Sequence, residues 1–289
     1  MSLELLRLGD NRLTEVPASL LTLPRLAWLG LAGNPVSECV TPGPSGHLRV
    51  PLAASALGSL LGEGASGAVY GTVDAATGDA RAVKVFKRAS SDGRPMDEIA
   101  VHIAVPAHEG IIRALGFVDE PSDAGRCLAL VLERVPGAPM GGPPSFDTVT
   151  RDTFATGVEF PVHTVLRVAR RVASALMHLH ANAIVHGDVY AHNVLLNDAR
   201  GTELSAKLCD FGAAFFVAPR DDALRRAFEL LEVRAYGCLL DDLLSRVHVA
   251  DGEERGVRML RCLADECVGA VAARPPFADV LARVAALDI

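Results

Sequence analysis

No run of lysines and arginines appears in this sequence, and its net charge is −7. Nucleic-acid binders usually carry a basic patch or stripe, so nucleic acid is not an expected partner. No apolar stretch reaches the ~18 residues that a membrane-spanning helix needs. The opening Met1-Ser2-Leu3-Glu4-Leu5 lacks the basic-then-apolar layout of a secretory signal. The six cysteines, Cys39, Cys127, Cys209, Cys238, Cys262 and Cys267, contain no CxxC pair. Free thiols in a reducing cytoplasm are therefore expected, rather than disulfides or zinc ligands. Aromatic residues make up only 5% of the chain, while half of its 289 residues are hydrophobic. That suffices for one large core or two modest ones.

Leucine patterning opens the chain. Leu6-x-Leu8-x-x-Asn11-x-Leu13 recurs as Leu29-x-Leu31-x-x-Asn34-x-Val36, at an offset of 23 residues. The pattern resembles the leucine-rich repeat, in which a short strand turns at an Asn whose amide satisfies backbone groups inside the turn. Two repeats are too few to stand alone, because each must bury its face on a neighbour. Residues 1–40 are thus expected to be a truncated array, or a cap docked on the next domain. Such repeats mostly bind proteins, so a protein partner is one expectation. The turn-rich Thr41-Pro42-Gly43-Pro44-Ser45-Gly46 marks a linker over residues 41–51.

Residues 52–135 read as strands around one short helix. Ala68–Val73 and Ala80–Phe86 are β-rich and flank a turn at Thr77-Gly78-Asp79. Met96–Val105 fits a helix entered through Pro95 and ended before Pro106. Pro136–Pro144 reads as a hinge and loop. From Pro161 the chain is mainly helical; Val162, Leu166, Ala169, Val172, Ala173, Leu176 and Leu179 share one helical face. The expected fold is α+β, with a β-rich N-lobe (52–135) and a helical C-lobe (136–289).

Gly62, Gly64 and Gly67 form a GxGxxG that leads into a strand, where a dinucleotide fingerprint would open a helix. Glycines let backbone N–H groups approach phosphates closely. Lys84 follows on the next strand, with Glu98 as its expected ion-pair partner and Asp97 the alternative. Farther on come His186-Gly187-Asp188, then Asn193, then Asp210-Phe211-Gly212. Together these resemble the glycine-rich loop, strand lysine, catalytic loop and D-F-G triplet of protein kinases. The resemblance covers 52–289 and, with the repeats, suggests an atypical, bacterial-type leucine-rich-repeat protein kinase. It implies ATP and Mg²⁺ as cofactors, Asp188 as the base for an acceptor hydroxyl, and Asn193 and Asp210 as metal ligands. It implies that Leu132 is the gatekeeper, that the Glu133 and Val135 backbone binds adenine, and that Val69, Ala82 and Leu195 sandwich the purine. Glu232–Gly237 resembles the helix start D-x-W-x-x-G, and Arg274-Pro275-Pro276-Phe277 the late R-P-x-F motif.

The departures are as informative. Gly187 stands where that family has the arginine that grips an activation-loop phosphate, and Ala213–Ala235 contains no Ser, Thr or Tyr. Activity independent of loop phosphorylation is expected. Tyr190 stands where serine/threonine kinases carry a lysine for the γ-phosphate; a phenol there supplies a hydrogen bond but no charge, and His192 is a nearby candidate cation. Arg220 lies where a glutamate would pair with Arg274, leaving Asp221, Asp222 or Glu229 as substitutes. Cys209 is expected to be a buried thiol. The leading reading is transfer of the γ-phosphoryl group of ATP to Ser/Thr hydroxyls of a protein substrate. The alternatives are a small-molecule phosphotransferase, suggested by His-Gly-Asp, and a nucleotide-binding pseudokinase.

Overall fold

A computed structural model of the chain describes residues 2–38, 49–51, 57–87, 93–122, 125–198, 204–218 and 221–287. Most of the expected linker, Cys39 and the Pro219-Arg220 pair lie outside them. The described end of the linker is not free-standing: Val50 N–H donates to the Phe117 carbonyl at 2.8 Å. No helix among the described residues is long and apolar enough to cross a membrane.

The N-terminal segment is one coil and a half. Strand β1 (Leu5–Arg7), short helix α1 (Ala18–Leu21), strand β2 (Trp28–Gly30) and short helix α2 (Pro35–Glu38) succeed one another along it. β1 and β2 pair in parallel, Leu5 with Trp28, Leu6 with Leu29 and Arg7 with Gly30, which is the 23-residue offset of the sequence pattern. Both asparagines act as expected. Asn34 Nδ2 donates to the Leu8 and Leu31 carbonyls, its Oδ1 accepts from Leu13 N–H, and Asn11 Nδ2 donates to the Leu8 and Gly9 carbonyls.

The next layer is an antiparallel sheet of β3 (Leu60–Glu63), β4 (Gly67–Val73), β5 (Ala80–Phe86), β6 (Ala114–Ser122) and β7 (Gly125–Glu133), in the order β3-β4-β5-β7-β6. Helix α3 (Pro95–Ala104) enters through Pro95, whose missing N–H costs nothing there, and packs Ile99 on Phe117 and Leu130. Side chains alternate across a sheet. Val83, Val118, Ala129 and Val131 therefore form one face. Ala82 and Lys84 point the other way, toward the cleft.

The second lobe is built on α4 (Val162–Ala181), whose expected apolar stripe is buried in full. Short strands β8 (Ala138–Pro139) and β9 (Phe160–Pro161) precede it. Then come β10 (Ile184–Val185), β11 (Val194–Asn197), β12 (Ser205–Leu208), β13 (Phe215–Phe216), α5 (Asp222–Leu244), β14 (Val247–His248), α6 (Glu254–Val268) and α7 (Phe277–Ala285). Asp221 caps α5 by accepting from Leu224 N–H.

The coil does not hang off the edge. Leu29 and Leu31 share a core with Val185, Phe215 and Phe228. Trp28 is 1% exposed, stacks on Tyr190 with centroids 4.5 Å apart and planes 6° apart, and donates from Nε1 to the Val189 carbonyl at 3.0 Å. Arg274 corrects an expectation: it donates to the carbonyls of Gly269, Leu230 and Pro24, not to a substitute carboxylate, while Glu229 pairs with Arg226. Burial, with Arg234 nearby, pushes the Arg274 guanidinium down to about 10. Trp28→Ala empties a buried site and removes a hydrogen bond, so chemical denaturation is expected to record a loss of roughly 3–5 kcal/mol. A loss below about 1 kcal/mol is inconsistent with this seam being part of the core.

Candidate active site

Cross-strand register assembles the roof of the cleft. Val69 lies opposite Lys84 on β4 and β5, and Ala82 opposite Leu132 on β5 and β7. All four line a cavity of 340 Å³ between the lobes, together with Glu133 and Val135, and with Leu195 on its floor. Gly62 lines it too, whereas Gly64 and Gly67 do not. The three glycines differ in kind. A side chain at Gly67 would strike the Val85 carbonyl at 2.4 Å, while Cβ atoms at Gly62 and Gly64 would meet open space. Lys87 ties the turn down by reaching Glu63 and the Gly64 carbonyl.

Lys84 Nζ meets Glu98 Oε1 at 2.6 Å and Asp210 Oδ1 at 3.1 Å. Burial pushes Lys84 toward the neutral form, but the Asp210 and Glu98 carboxylates outweigh it and raise its affinity for the proton. Desolvation likewise opposes the charge on Asp210, and Lys84 with the Gly212 N–H overrides it, holding Asp210 at about 2. Asp97 is turned away and pairs with Arg94. Asp210 adopts a left-handed backbone, φ +59°, and keeps 42% of its side chain exposed. A strained non-glycine residue of this kind needs surroundings that over-determine it.

Those surroundings are visible. Phe211 is wholly buried between His102, 4.2 Å away on α3, and His186, 4.9 Å away in the catalytic loop. His186 reaches the Cys209 carbonyl and accepts from Asp188 N–H. Glu232 on α5 accepts the Gly187 N–H at 2.7 Å and pairs with His180. Asn193 Nδ2 donates to the Asp188 carbonyl at 2.9 Å and to its Oδ2 at 3.0 Å. Asp188, Asn193 and Asp210 therefore arrive from the loop, the turn before β11 and the turn after β12. Cys209 Sγ donates to the Asn193 carbonyl at 3.2 Å, and burial raises its thiol far above the usual range.

A profile of the protein kinase domain matches residues 56–229. The chain belongs to the protein kinase family. Among curated relatives, it is 31% identical over 157 residues to human mitogen-activated protein kinase kinase kinase 6, covering 54% of this chain and 11% of that protein. It is 29% identical over 160 residues to mouse serine/threonine-protein kinase PAK 1, covering 55% and 26%. It is 26% identical over 155 residues to the MAP kinase-activated protein kinase mak-1 of Caenorhabditis elegans, covering 54% and 27%. The chain thus spans about a quarter or less of the length of these relatives.

Against that family, one expectation about the catalytic loop is corrected, that for Tyr190. Tyr190 offers no hydrogen bond toward the cleft: its ring is held by Trp28, and its hydroxyl has no partner among the described residues. His192 lines the cavity, with Nδ1 2.6 Å from Asp152 Oδ1. Burial opposes the charge on His192, and Asp152 outweighs it and raises the imidazole. Sequence reading missed Asp152, His102, Trp28 and Arg7. The chain's single tryptophan was a usable signal for Trp28. Arg7 Nη2 lies 2.6 Å from Asp188 Oδ1, 181 residues away in sequence.

His102 gives this protein a pH signature. Burial depresses its imidazole to about 4, with Nε2 2.8 Å from the Ile112 carbonyl. Between the ordinary value near 6.5 and about 4, the unfolded chain binds a proton that the folded chain refuses. Stability is therefore lost as pH falls through that window, by up to about 3 kcal/mol. His192 slopes the other way, so the comparison must be between variants. Denaturation midpoints at pH 7.5 and pH 5 are expected to lie closer together in His102→Leu than in the parent protein; an unchanged gap contradicts the assignment.

Proposed function

We propose that this kinase transfers the γ-phosphoryl group of Mg·ATP to a serine or threonine hydroxyl on a protein. One observation carries the reading: Lys84, Glu98, Asn193 and Asp210 line one cleft, with Asp188 bonded to Asn193 and the Phe211 ring buried between His102 and His186. Lys84, fixed by Glu98, would hold the α- and β-phosphates. Asp188 would orient the acceptor hydroxyl and take its proton as the new oxygen–phosphorus bond forms and the bond to the β-phosphate oxygen breaks, releasing ADP. Leu132 would limit the rear of the adenine site, with the Glu133 and Val135 backbone at its edge. Val69, Ala82 and Leu195 would enclose the ring.

The donors suit a magnesium ion. Asn193 uses its amide nitrogen on Asp188, which turns its oxygen free for a hard cation, and the Asp210 carboxylate is open to the cleft. Among the described residues no cluster of three or more His, Cys, Asp or Glu is placed to hold a metal. The ion would thus be shared with the phosphates, where it would neutralise their charge.

Residues 1–40 fit two leucine-rich repeats whose parallel register and asparagine bonds support the label, and their location against the catalytic loop supports a capping role. Lack of Ser, Thr or Tyr over Ala213–Ala235 supports activity without loop phosphorylation. A small-molecule acceptor is favoured by one observation, the 17% exposure of the Asp188 side chain beneath the coil. Labelled Mg·ATP with a generic protein acceptor tests these readings. Label is expected on protein, lowered roughly 10²–10⁴-fold in Asp188→Asn and unaffected by phosphatase pretreatment of the enzyme. ATP consumption without protein label points to a small acceptor, and nucleotide binding without turnover defeats the catalytic reading.

A further inference from the structure

The catalytic loop of this kinase, His186–Leu196, contains no arginine or lysine to stand beside Asp188. Gly187 and Tyr190 occupy the two places where family members carry one, and His192 faces Asp152. Lys84 is engaged by Glu98 and Asp210. The positive charge touching Asp188 comes from another part of the chain: Arg7 of β1, at 2.6 Å from Oδ1, with both side chains more than four-fifths buried. With Asn193 on Oδ2, both carboxylate oxygens are held.

The surroundings are shaped for this reach. Gly30 lies opposite Arg7 in β2, against the arginine stem; a Cβ there would be in van der Waals contact with Arg7 Cδ at 3.4 Å. Gly187 has φ +74°, and a Cβ on it would lie 2.9 Å from the Ala213 carbonyl and 3.0 Å from the Leu29 carbonyl. A side chain at 187 is thus excluded by backbone strain and by β2 itself. Tyr190, in the second vacated place, is the surface on which Trp28 rests. Each missing cation has been replaced by a feature that seats the strand pair, and the strand pair carries a cation back.

We propose that Arg7 is a positioning residue for phosphoryl transfer: the N-terminal coil supplies in cis the guanidinium that orients the Asp188 carboxylate and adds positive charge where the acceptor and γ-phosphate meet. The proposal rests on the reading of Asp188 as base. Charge fixed in advance at a developing transition state acts on the chemical step rather than on nucleotide binding. An arginine supplied by one segment to another's active site is physically reasonable, because a rigid guanidinium loses little freedom on pairing with a carboxylate.

The test is steady-state kinetics on the full chain for the parent, Arg7→Met, Arg7→Lys and Asp188→Asn. Arg7→Met keeps the aliphatic stem and is expected to lower kcat roughly 100-fold with KM for ATP nearly unchanged. Arg7→Lys is expected to recover part of that loss, and added methylguanidinium to recover part of it in Arg7→Met alone. Unchanged or increased kcat in Arg7→Met overturns the proposal, an increase identifying Arg7 as an inhibitory clamp. Loss of activity together with loss of native Trp28 emission, without methylguanidinium recovery, assigns Arg7 to packing and also overturns it. An active Asp188→Asn removes the underlying reading of Asp188, and that result is read independently of the Arg7 variants.

Discussion

The indole of Trp28 lies flat on the ring of Tyr190, and much of the arrangement around it depends on that stack. Tyr190 is two residues from Asp188, so a contact made to bury an aromatic pair also fixes the catalytic loop. The same strand pair places Leu29 against the backbone at Gly187 and Arg7 against Asp188. Aromatic stacking with nearly complete burial contributes beyond its area alone, and here it is reinforced by the bond from Trp28 Nε1 to Val189. The coil also reaches the other half of the site. Arg94, at the start of α3, lies 3.7 Å from Asp10 while holding Asp97. Since α3 carries Glu98, the segment touches the elements behind both Lys84 and Asp188.

The kinase core was legible in the sequence because its chemistry depends on short, ordered motifs. The apolar stripe of α4 marked the large-lobe core. Glu98 was separable from Asp97 because helical geometry sends the two in different directions. The 23-residue repeat matches the register in which β1 pairs with β2. What escaped was everything set by distant packing. Arg7 occupies an ordinary variable position in the first repeat, and nothing local marks it for Asp188. Tyr190 looked like a polar substitute for lysine; only the arrival of Trp28 makes it a packing surface. Arg274 was expected to want a carboxylate, yet carbonyls of the coil, of the middle of α5 and of the end of α6 satisfy it.

The departures from the kinase pattern thus form one set. Losing an arginine at 187, a lysine at 190 and a phosphorylatable loop would each weaken an ordinary kinase. Here β13 leads within a few residues into α5, and the coil stands beside the catalytic loop where its backbone and side chains can do the holding. That bracing supports the proposal that no phosphate is needed to hold the loop.

The coil and the kinase core are expected to unfold as one body. Native-state amide hydrogen exchange tests this directly, using Leu8 and Asp10, whose N–H groups bond to the Gly30 and Ala32 carbonyls. If the claim holds, these amides open only with the α4 core, at free energies within about 1 kcal/mol of it. Exchange of the coil several kcal/mol more easily than α4 would mean that it is an accessory to a kinase that stands without it.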